Sequence, residues 1–286
     1  MRTEQELYDL ILAFARKDER IRVVAMNGSR ANPNAPRDAF QDYDIVFLVT
    51  EMDSFLADDA WLNYFGKRII MQKPEGMELF PSERENRFSY LMLFEDGNRI
   101  DLTLLQLNEL GSYLKEDSIL QILLDKDWIV PALPESTDHD YWIKRPTPAM
   151  FDDCCNEFWW LSTYVAKGLA RKELPYANAH LDLMRNQLMT MLIWQIGLEQ
   201  GFTFSIGKQF KYLQQHLSPS LWQKLCATWD ASSPEACKKS LEGMLVLFRE
   251  ISKHVSEGLE YSYPDYDKKV SRYLASLGIT TSQAIW

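Results

Sequence analysis

The sequence predicts an α+β protein in two parts, a mixed half of strands and helices followed by an all-helical half. From Ile21 onward, short runs of β-branched and aromatic residues alternate with turn signals, as they do in strands joined by loops. After Val130 no further strand pattern occurs, and apolar residues recur at helical spacing instead. A proline-containing stretch at 131–148 separates these patterns. We therefore predict domains at residues 1–135 and 136–286.

The first half begins with a helix and continues with strands. Thr3 and Glu6 form a capping box ahead of a helical apolar stripe. Asp96-Gly97-Asn98 predicts a tight turn into an alternating return strand, which is typical of a hairpin. Four earlier strands are predicted at residues 21–26, 43–50, 67–71 and 88–94.

The second half contains helical patterns only. Thr147 is a predicted N-cap, and Pro148 suits the first helical position behind it. Gly201 is placed to end a second long helix, at 176–199. Further helices are predicted at 218–229, 234–258 and 264–277.

Composition and charge exclude several classes of protein. The chain is 46% hydrophobic and 25% charged, as globular domains are, and carries a net charge of −10. An acidic surface does not suit a nucleic-acid backbone, but it does suit a cationic substrate or a magnesium site. The four cysteines lack zinc-site spacing, and no apolar run approaches the roughly 20 residues of a membrane span. We expect a soluble, cytoplasmic protein that binds neither nucleic acid nor membrane.

Three aspartates form the strongest candidate site. Asp42 and Asp44 are two residues apart in a predicted strand, so both side chains project from the same face. Asp101 begins the return strand of the hairpin and alternates with apolar neighbours, so it faces away from them. Carboxylates of this kind hold Mg²⁺, and two such ions suit phosphoryl transfer. The pattern predicts a magnesium site at Asp42, Asp44 and Asp101.

Gly28 and Ser29 directly follow the first predicted strand. A glycine here lets the backbone turn sharply and approach a phosphate, whose oxygens the serine hydroxyl and amide can bind. Arg30 adjoins this turn and offers a cation to a triphosphate. Lys208 is a further candidate phosphate contact, although no Walker-type loop precedes it and a solvated lysine is the alternative. We predict that these four residues bind a nucleotide.

The order Gly28-Ser29, Asp42-x-Asp44 and Asp101 resembles the polymerase-β-like nucleotidyltransferase superfamily. The surrounding segments resemble more narrowly the streptomycin (aminoglycoside) 6-adenylyltransferases of bacteria, and the resemblance spans nearly the whole chain, its helical half included. The segments are GSRAN at 28–32, FQDYDI at 40–45, FGKR at 65–68, MQKPE at 71–75, LFEDGN at 93–98, LLDKD at 123–127, FDDCCNEFW at 151–159 and YPDY at 263–266.

The resemblance implies a nucleotidyltransferase fold, a mixed sheet with flanking helices, followed by a helical bundle that binds substrate. It also implies transfer of AMP from Mg-ATP to the 6-hydroxyl of streptomycin, release of pyrophosphate and antibiotic resistance. Ser29 would contact the triphosphate, and the three aspartates would hold two Mg²⁺ ions. The implied partners are ATP as co-substrate and a small cationic aminoglycoside. We expect the protein itself to be a monomer or weak homodimer.

The general base stays open at this point. A hydroxyl that attacks phosphorus benefits from a carboxylate that takes its proton. Asp101 can serve, and Asp182, early in a predicted helix of the second half, is the preferred separate candidate. The alternative for Asp182 is a solvated acid that stabilises a helix N-terminus. Three other acids compete for the role, Asp152, Asp153 and Glu157.

Two alternative functions stay open. One keeps the same chemistry but changes the acceptor to another aminoglycoside, another small alcohol or a protein side chain. The other is a non-catalytic nucleotide-binding module, which has little need of three clustered carboxylates.

Overall fold

The first unit of the chain, Met1–Asp140, is built around a mixed sheet. The structure is a computed structural model, and it describes residues 1–82 and 86–280 of the chain. The strands of this first unit are β1 Ile21–Met26, β2 Tyr43–Val49, β3 Arg68–Gln72, β4 Arg87–Phe94, β5 Arg99–Gln106 and β6 Gln121–Asp125. Its α-helices are α1 Glu4–Lys17, α2 Gly28–Ala31, α3 Met52–Leu56 and α4 Leu110–Tyr113, with 3₁₀ turns at Asp59–Phe65, Pro74–Gly76, Leu107–Glu109 and, at the boundary with the second unit, His139–Tyr141.

The strand order in the described residues is β3-β4-β5-β2-β1-β6. The central strands β2 and β5 pair in parallel, and the other neighbours pair antiparallel. The predicted hairpin is present as β4 and β5, joined through Gly97 at a φ of +84°, a conformation that favours glycine. The parallel pair places the beginnings of β2 and β5 side by side.

The two faces of the sheet are covered unequally. Every second residue of β2 and β5, such as Ile45, Phe47 and Leu102, packs into a large apolar core together with α1. The other face carries a smaller core, which includes Val46, Leu48 and several residues from outside the two strands. This smaller core contains no residue from the beginnings of β2 and β5. On this face, the beginnings of β2 and β5 can therefore carry polar side chains without burying them in an apolar core.

An ion pair ties the N-terminus to the β4–β5 turn. The Arg2 guanidinium lies 2.6 Å from Asp96 Oδ2, and Arg2 Nη1 donates to the Phe65 carbonyl at 2.6 Å. Asn98 Nδ2 also donates to Asp96 Oδ2, at 2.8 Å. These hydrogen bonds, that of Arg2 first, hold the pKa of Asp96 well below its usual range.

The second unit, from Tyr141 onward, is helical throughout its described residues. Thr147 caps α5 by accepting from the Met150 amide at 3.2 Å, as the sequence predicted. Long helices pack around one apolar core, in which Phe158 and Phe248 stack at 3.7 Å between ring centroids. The helices are α5 Pro148–Ala170, α6 Leu174–Gln200, α7 Pro219–Cys226, α8 Pro234–Leu259 and α9 Tyr266–Ser276, with 3₁₀ turns at Lys208–Phe210, Leu213–His216 and Ala227–Trp229.

The predicted fold class, α+β with a helical second half, is confirmed, and three details differ. The edge strand β6 was not predicted. The predicted helix at 218–229 breaks at Cys226 and continues as a 3₁₀ turn. Asp42 lies just before β2 and not within it. None of the described helices is long and apolar enough to cross a bilayer.

Candidate active site

Asp44 and Asp101 are direct partners in the parallel pairing of β2 with β5. Each alternates with residues of the large core, so both carboxylates project from the opposite face of the sheet. Asp42 lies two residues before Asp44, and its carboxylate approaches the same Arg99 side chain that binds Asp101. The fold thus places Asp44 beside Asp101 in the sheet and brings Asp42 and Asp101 to the same arginine.

The Gly28 backbone packs directly against Asp44. Gly28 has a φ of +68°, and a Cβ built there would overlap the Asp44 carboxylate and lie 2.6 Å from its Cγ. The preceding amide, Asn27 N, donates to the Asp44 carbonyl at 3.0 Å. Glycine suits this position for two reasons, since a Cβ would displace the carboxylate and the positive φ disfavours other residues. The predicted phosphate-binding turn and the predicted metal ligand are therefore adjacent.

Asn27, the residue before this turn, is held by its side chain. Its Nδ2 donates to the Ile119 carbonyl at 2.8 Å, and its Oδ1 accepts from the Tyr113 hydroxyl at 2.5 Å. Burial raises the pKa of Tyr113, so this hydroxyl keeps its proton and donates at neutral pH. Both partners follow β5 in the chain, so two hydrogen bonds join the beginning of the turn to that later segment.

Arg30 joins the Gly28 turn to the segment before Asp42. It is buried, its Nε donates to the Asp42 carbonyl at 3.1 Å, and its Nη2 donates to the Gln41 carbonyl at 2.9 Å. Its guanidinium carbon lies 3.7 Å from the centre of the Tyr43 ring. Gln41 joins the same two segments from the other direction, because its Nε2 donates to the Ser29 carbonyl at 3.3 Å. The sequence suggested a phosphate contact for Arg30 and missed this positioning role.

Arg99 was not singled out from the sequence. Its Nε and Nη2 donate to the two oxygens of Asp101 at 2.8 and 2.7 Å, and its Nε lies 3.5 Å from Asp42 Oδ2. Burial raises the pKa of Asp42, Arg99 opposes that rise, and Asp101 adds to it. A signal was available, since Arg99 and Asp101 are two residues apart on a strand and share a face.

The oxygen chemistry of the three carboxylates fits Mg²⁺, which prefers hard oxygen ligands. Among the described residues, however, no three acidic, histidine or cysteine side chains are already gathered around a common point. Arg99 places a positive charge between Asp42 and Asp101 instead. The residues present fit a divalent cation, provided that this guanidinium moves.

Glu75 is a further acid near this face that the sequence analysis did not single out. Its Oε2 accepts from the Ser89 amide at 2.8 Å, and its Oε1 lies 3.4 Å from Ser89 Oγ. Ser89 Oγ in turn lies 3.1 Å from Thr103 Oγ1, and Thr103 shares its face of β5 with Asp101. Glu75 therefore joins the candidates for the general base.

The remaining predicted residues lie in the helical unit. Asp182, on α6, is largely exposed and is paired with the buried Arg185. Arg185 is also bound to the Thr228 carbonyl, at 2.6 Å, and packs over the Trp229 ring. Lys208 begins a 3₁₀ turn directly after Gly207. Their roles as base and phosphate contact stay predictions.

A family model and three curated relatives point to one family of proteins. The sequence model of the streptomycin adenylyltransferase family matches residues 1–277. Aminoglycoside 6-adenylyltransferases of Bacillus subtilis (strain 168) and Campylobacter jejuni are each 50% identical over 275 residues, which cover 96% of this chain and 97% and 95% of theirs. That of Staphylococcus aureus is 39% identical over 276 residues. A crystal structure of an aminoglycoside 6-adenyltransferase from Bacillus subtilis is 46% identical, covers 98% of this chain and 100% of its own, and has a TM-score of 0.49.

Proposed function

Because the chain belongs to the streptomycin adenylyltransferase family, we propose that it transfers AMP from Mg-ATP to the 6-hydroxyl of streptomycin and releases pyrophosphate. Family membership makes it a nucleotidyltransferase of the aminoglycoside 6-adenylyltransferase type. The observation that carries the proposal is the pairing of Asp44 with Asp101 directly beside the Gly28 turn. This pairing supports a site where a triphosphate and carboxylate ligands meet.

In this proposal the nucleotide lies along the Gly28 turn. Ser29 offers its hydroxyl and amide to the phosphates. Arg30 holds the turn against the segment before Asp44 through its hydrogen bonds to the Asp42 and Gln41 carbonyls. Lys208 is kept as a further phosphate contact. Asp42, Asp44 and Asp101 would hold Mg²⁺, which supplies positive charge where negative charge accumulates on the phosphates.

The acceptor hydroxyl attacks the α-phosphorus in line with the departing pyrophosphate, and a carboxylate takes its proton. Asp182 remains the preferred separate base, with Asp101 and Glu75 as candidates in the sheet unit. The guanidinium groups of streptomycin carry fixed positive charge, which suits a chain with a net charge of −10.

An acceptor screen tests the substrate. The purified chain is incubated with ATP, Mg²⁺ and one acceptor at a time, and each product is weighed by mass spectrometry. Streptomycin is expected to gain one adenylyl group, and its fragments place that group on the 6-hydroxyl. Transfer to another aminoglycoside or alcohol, with streptomycin unmodified, would overturn the proposed acceptor but not the reaction type.

Replacing Asp44 tests the reaction itself. Asp44→Asn keeps the shape of the side chain but removes its charge, so transfer is expected to fall by roughly 10²-fold or more while the fold is retained. Asp53→Asn, on α3 of the same unit, is the matched control and is expected to keep full turnover. Undiminished transfer by Asp44→Asn would overturn the metal-site assignment. Expression in a sensitive bacterium is expected to raise streptomycin tolerance for the native chain and for Asp53→Asn, but not for Asp44→Asn.

A further inference from the structure

The Arg99 guanidinium lies where two carboxylates of the site converge, at 2.7–2.8 Å from Asp101 and 3.5 Å from Asp42. We propose that Arg99 is an exchangeable counter-ion, which balances part of the negative charge of Asp42 and Asp101 in the metal-free protein and is displaced when a divalent cation enters. The inference rests on the proposed function, because it takes these aspartates as the metal ligands.

The geometry of the Arg99–Asp101 pair favours displacement of the arginine by a metal ion. The pair is bidentate, so each oxygen of Asp101 accepts a hydrogen bond from Arg99. A cation that takes Asp101 as a ligand must share or replace one of these bonds, and it would then lie next to the positively charged guanidinium. Coulomb repulsion at that distance favours departure of the arginine. Arg99 and a metal ion therefore compete for Asp101.

The surroundings of Arg99 make displacement easy. Its side chain is 42% exposed, so the guanidinium can turn outward and be hydrated at once. Asp101, by contrast, is held by β-pairing on both sides, to β2 and to β4. Exchange therefore moves one side chain and leaves the strands in place.

A released Arg99 has a natural second partner in a bound nucleotide. Guanidinium groups bind phosphate oxygens in the same bidentate manner as carboxylates. Arg99 would then hinder a metal ion that arrives alone and help one that arrives with a triphosphate. Such coupling is reciprocal, so the metal ion and the nucleotide each tighten the binding of the other.

The test measures metal binding to the full chain without nucleotide. Mn²⁺ serves as the probe, and free Mn²⁺ is followed by its electron paramagnetic resonance signal. Arg99→Gln is expected to bind Mn²⁺ roughly 5- to 10-fold more tightly than the native chain, because the competing cation is gone. Arg22→Gln is the matched control, since it removes the same charge from an arginine of β1 that is paired with Asp127, and it is expected to leave Mn²⁺ affinity unchanged.

A second titration uses a non-hydrolysable ATP analogue with and without Mn²⁺. The native chain is expected to show mutual tightening, and Arg99→Gln is expected to lose most of that tightening. Arg99→Lys keeps the charge without the planar fork, so its Mn²⁺ affinity is expected to be intermediate. If Arg99→Gln does not fold, the Mn²⁺ affinity of Arg99→Lys tests the exchange in its place.

The two possible failures can be distinguished. Equal or weaker Mn²⁺ binding by Arg99→Gln, in a chain that still adenylylates its acceptor, would overturn the exchange and leave the proposed function standing. Undetectable Mn²⁺ binding by the native chain, with transfer unaffected in Asp44→Asn, would overturn the exchange together with the metal-site assignment on which it rests. Absence of transfer from ATP to any acceptor by the native chain would overturn the proposed function.

Discussion

Among the bidentate arginine–aspartate pairs of the described residues, Arg99–Asp101 and Arg249–Asp267 have nearly identical geometry but opposite surroundings. In the sheet unit, Arg99 and Asp101 have side-chain exposures of 42% and 18%, and a second carboxylate, that of Asp42, lies beside them. In the helical unit, Arg249 and Asp267 have exposures of 13% and 6%, and the Arg249 Nη2 to Asp267 Oδ1 distance is also 2.7 Å. Hydrogen-bond length alone does not distinguish the two pairs.

The neighbours of the two pairs do distinguish them. Asp267 also accepts from the hydroxyls of Tyr263 and Ser271, each at 3.0 Å, and Arg249 packs over the Trp159 ring. That pair is neutral overall and buried, so the loss of either partner leaves the charge of the other unpaired in a poorly solvated environment. The Arg99 site carries two carboxylates for one arginine and is open to water. A closed and balanced pair holds α9 to α8, whereas an open and acidic pair is suited to exchange.

Removing one partner of the buried pair is expected to have the largest effect on stability. Asp267→Asn leaves Arg249 without a carboxylate in a desolvated site, so the free energy of unfolding should fall by about 3 kcal/mol. Urea denaturation followed by far-UV circular dichroism measures this change. Asp265→Asn, an exposed acid of the same segment that is paired with Lys269, is the control and should change stability by less than about 0.5 kcal/mol. Equal losses in the two variants would contradict the distinction between closed and open pairs.

The Arg2–Asp96 pair is intermediate in exposure and predicts a pH dependence. Its hydrogen bonds lower the folded-state pKa of Asp96 below the unfolded value of about 3.9, so the stability from this pair is complete above roughly pH 5. It is lost as pH falls through the folded-state pKa. The pair is partly open to solvent, so we expect about 1 kcal/mol.

Denaturation of the native chain and of Asp96→Asn at a series of pH values checks this prediction. The difference in unfolding free energy should be present at pH 7 and should shrink steadily below pH 4. A difference that grew on acidification would contradict the assigned sign.

Removing Arg99 is expected to have a smaller effect, and one that a metal ion reverses. Without the guanidinium, Asp42 and Asp101 repel each other across a partly hydrated gap, so Arg99→Gln should lower the unfolding free energy by up to about 1 kcal/mol. Added Mg²⁺ should raise the melting temperature of this variant more than that of the native chain. Asp267→Asn should gain nothing extra from Mg²⁺, and the same gain in both variants would remove the contrast between the pairs.

Much of the fold could be predicted because its elements carry regular apolar patterns. The alternation in β2 and β5 predicted that Asp101 faces away from the core, and the pairing of β5 agrees. The edge strand β6 was not predicted because none of its residues is fully buried. Its sequence therefore lacks the alternation of apolar and polar residues that marks a strand with one buried face. Its pairing with β1 is decided by tertiary contact.

The candidate site could be predicted only where spacing along the chain carries the information. Gly28 and Asp44 were each identified, but their direct packing depends on the pairing of two strands and has no local signature. The hold of Arg30 on the Asp42 carbonyl likewise depends on how a loop folds back. Arg99 differs, because an arginine two residues before a strand aspartate is visible in the sequence, although its approach to Asp42 depends on the folded loop and is not.

The smallest effect on stability is expected at Asp182, whose carboxylate is far more exposed than those of Asp101, Asp267 and Asp96. Its side chain is 73% exposed, and Arg185 keeps the Thr228 carbonyl and the Trp229 ring as partners without it. Asp182→Asn should therefore change the unfolding free energy by less than about 0.5 kcal/mol.

Its effect on turnover is a separate matter. If Asp182 takes the acceptor proton, kcat should fall by roughly 10²-fold with KM for ATP unchanged, and the loss should narrow as pH rises and the acceptor hydroxyl ionises more readily. Glu257→Gln, at an exposed acid of α8 with no assigned role, is the control within the same unit. A normal kcat in Asp182→Asn would leave its carboxylate as the surface partner of Arg185, and the proton would then pass to a carboxylate of the sheet unit, where Glu75→Gln is the next variant to measure.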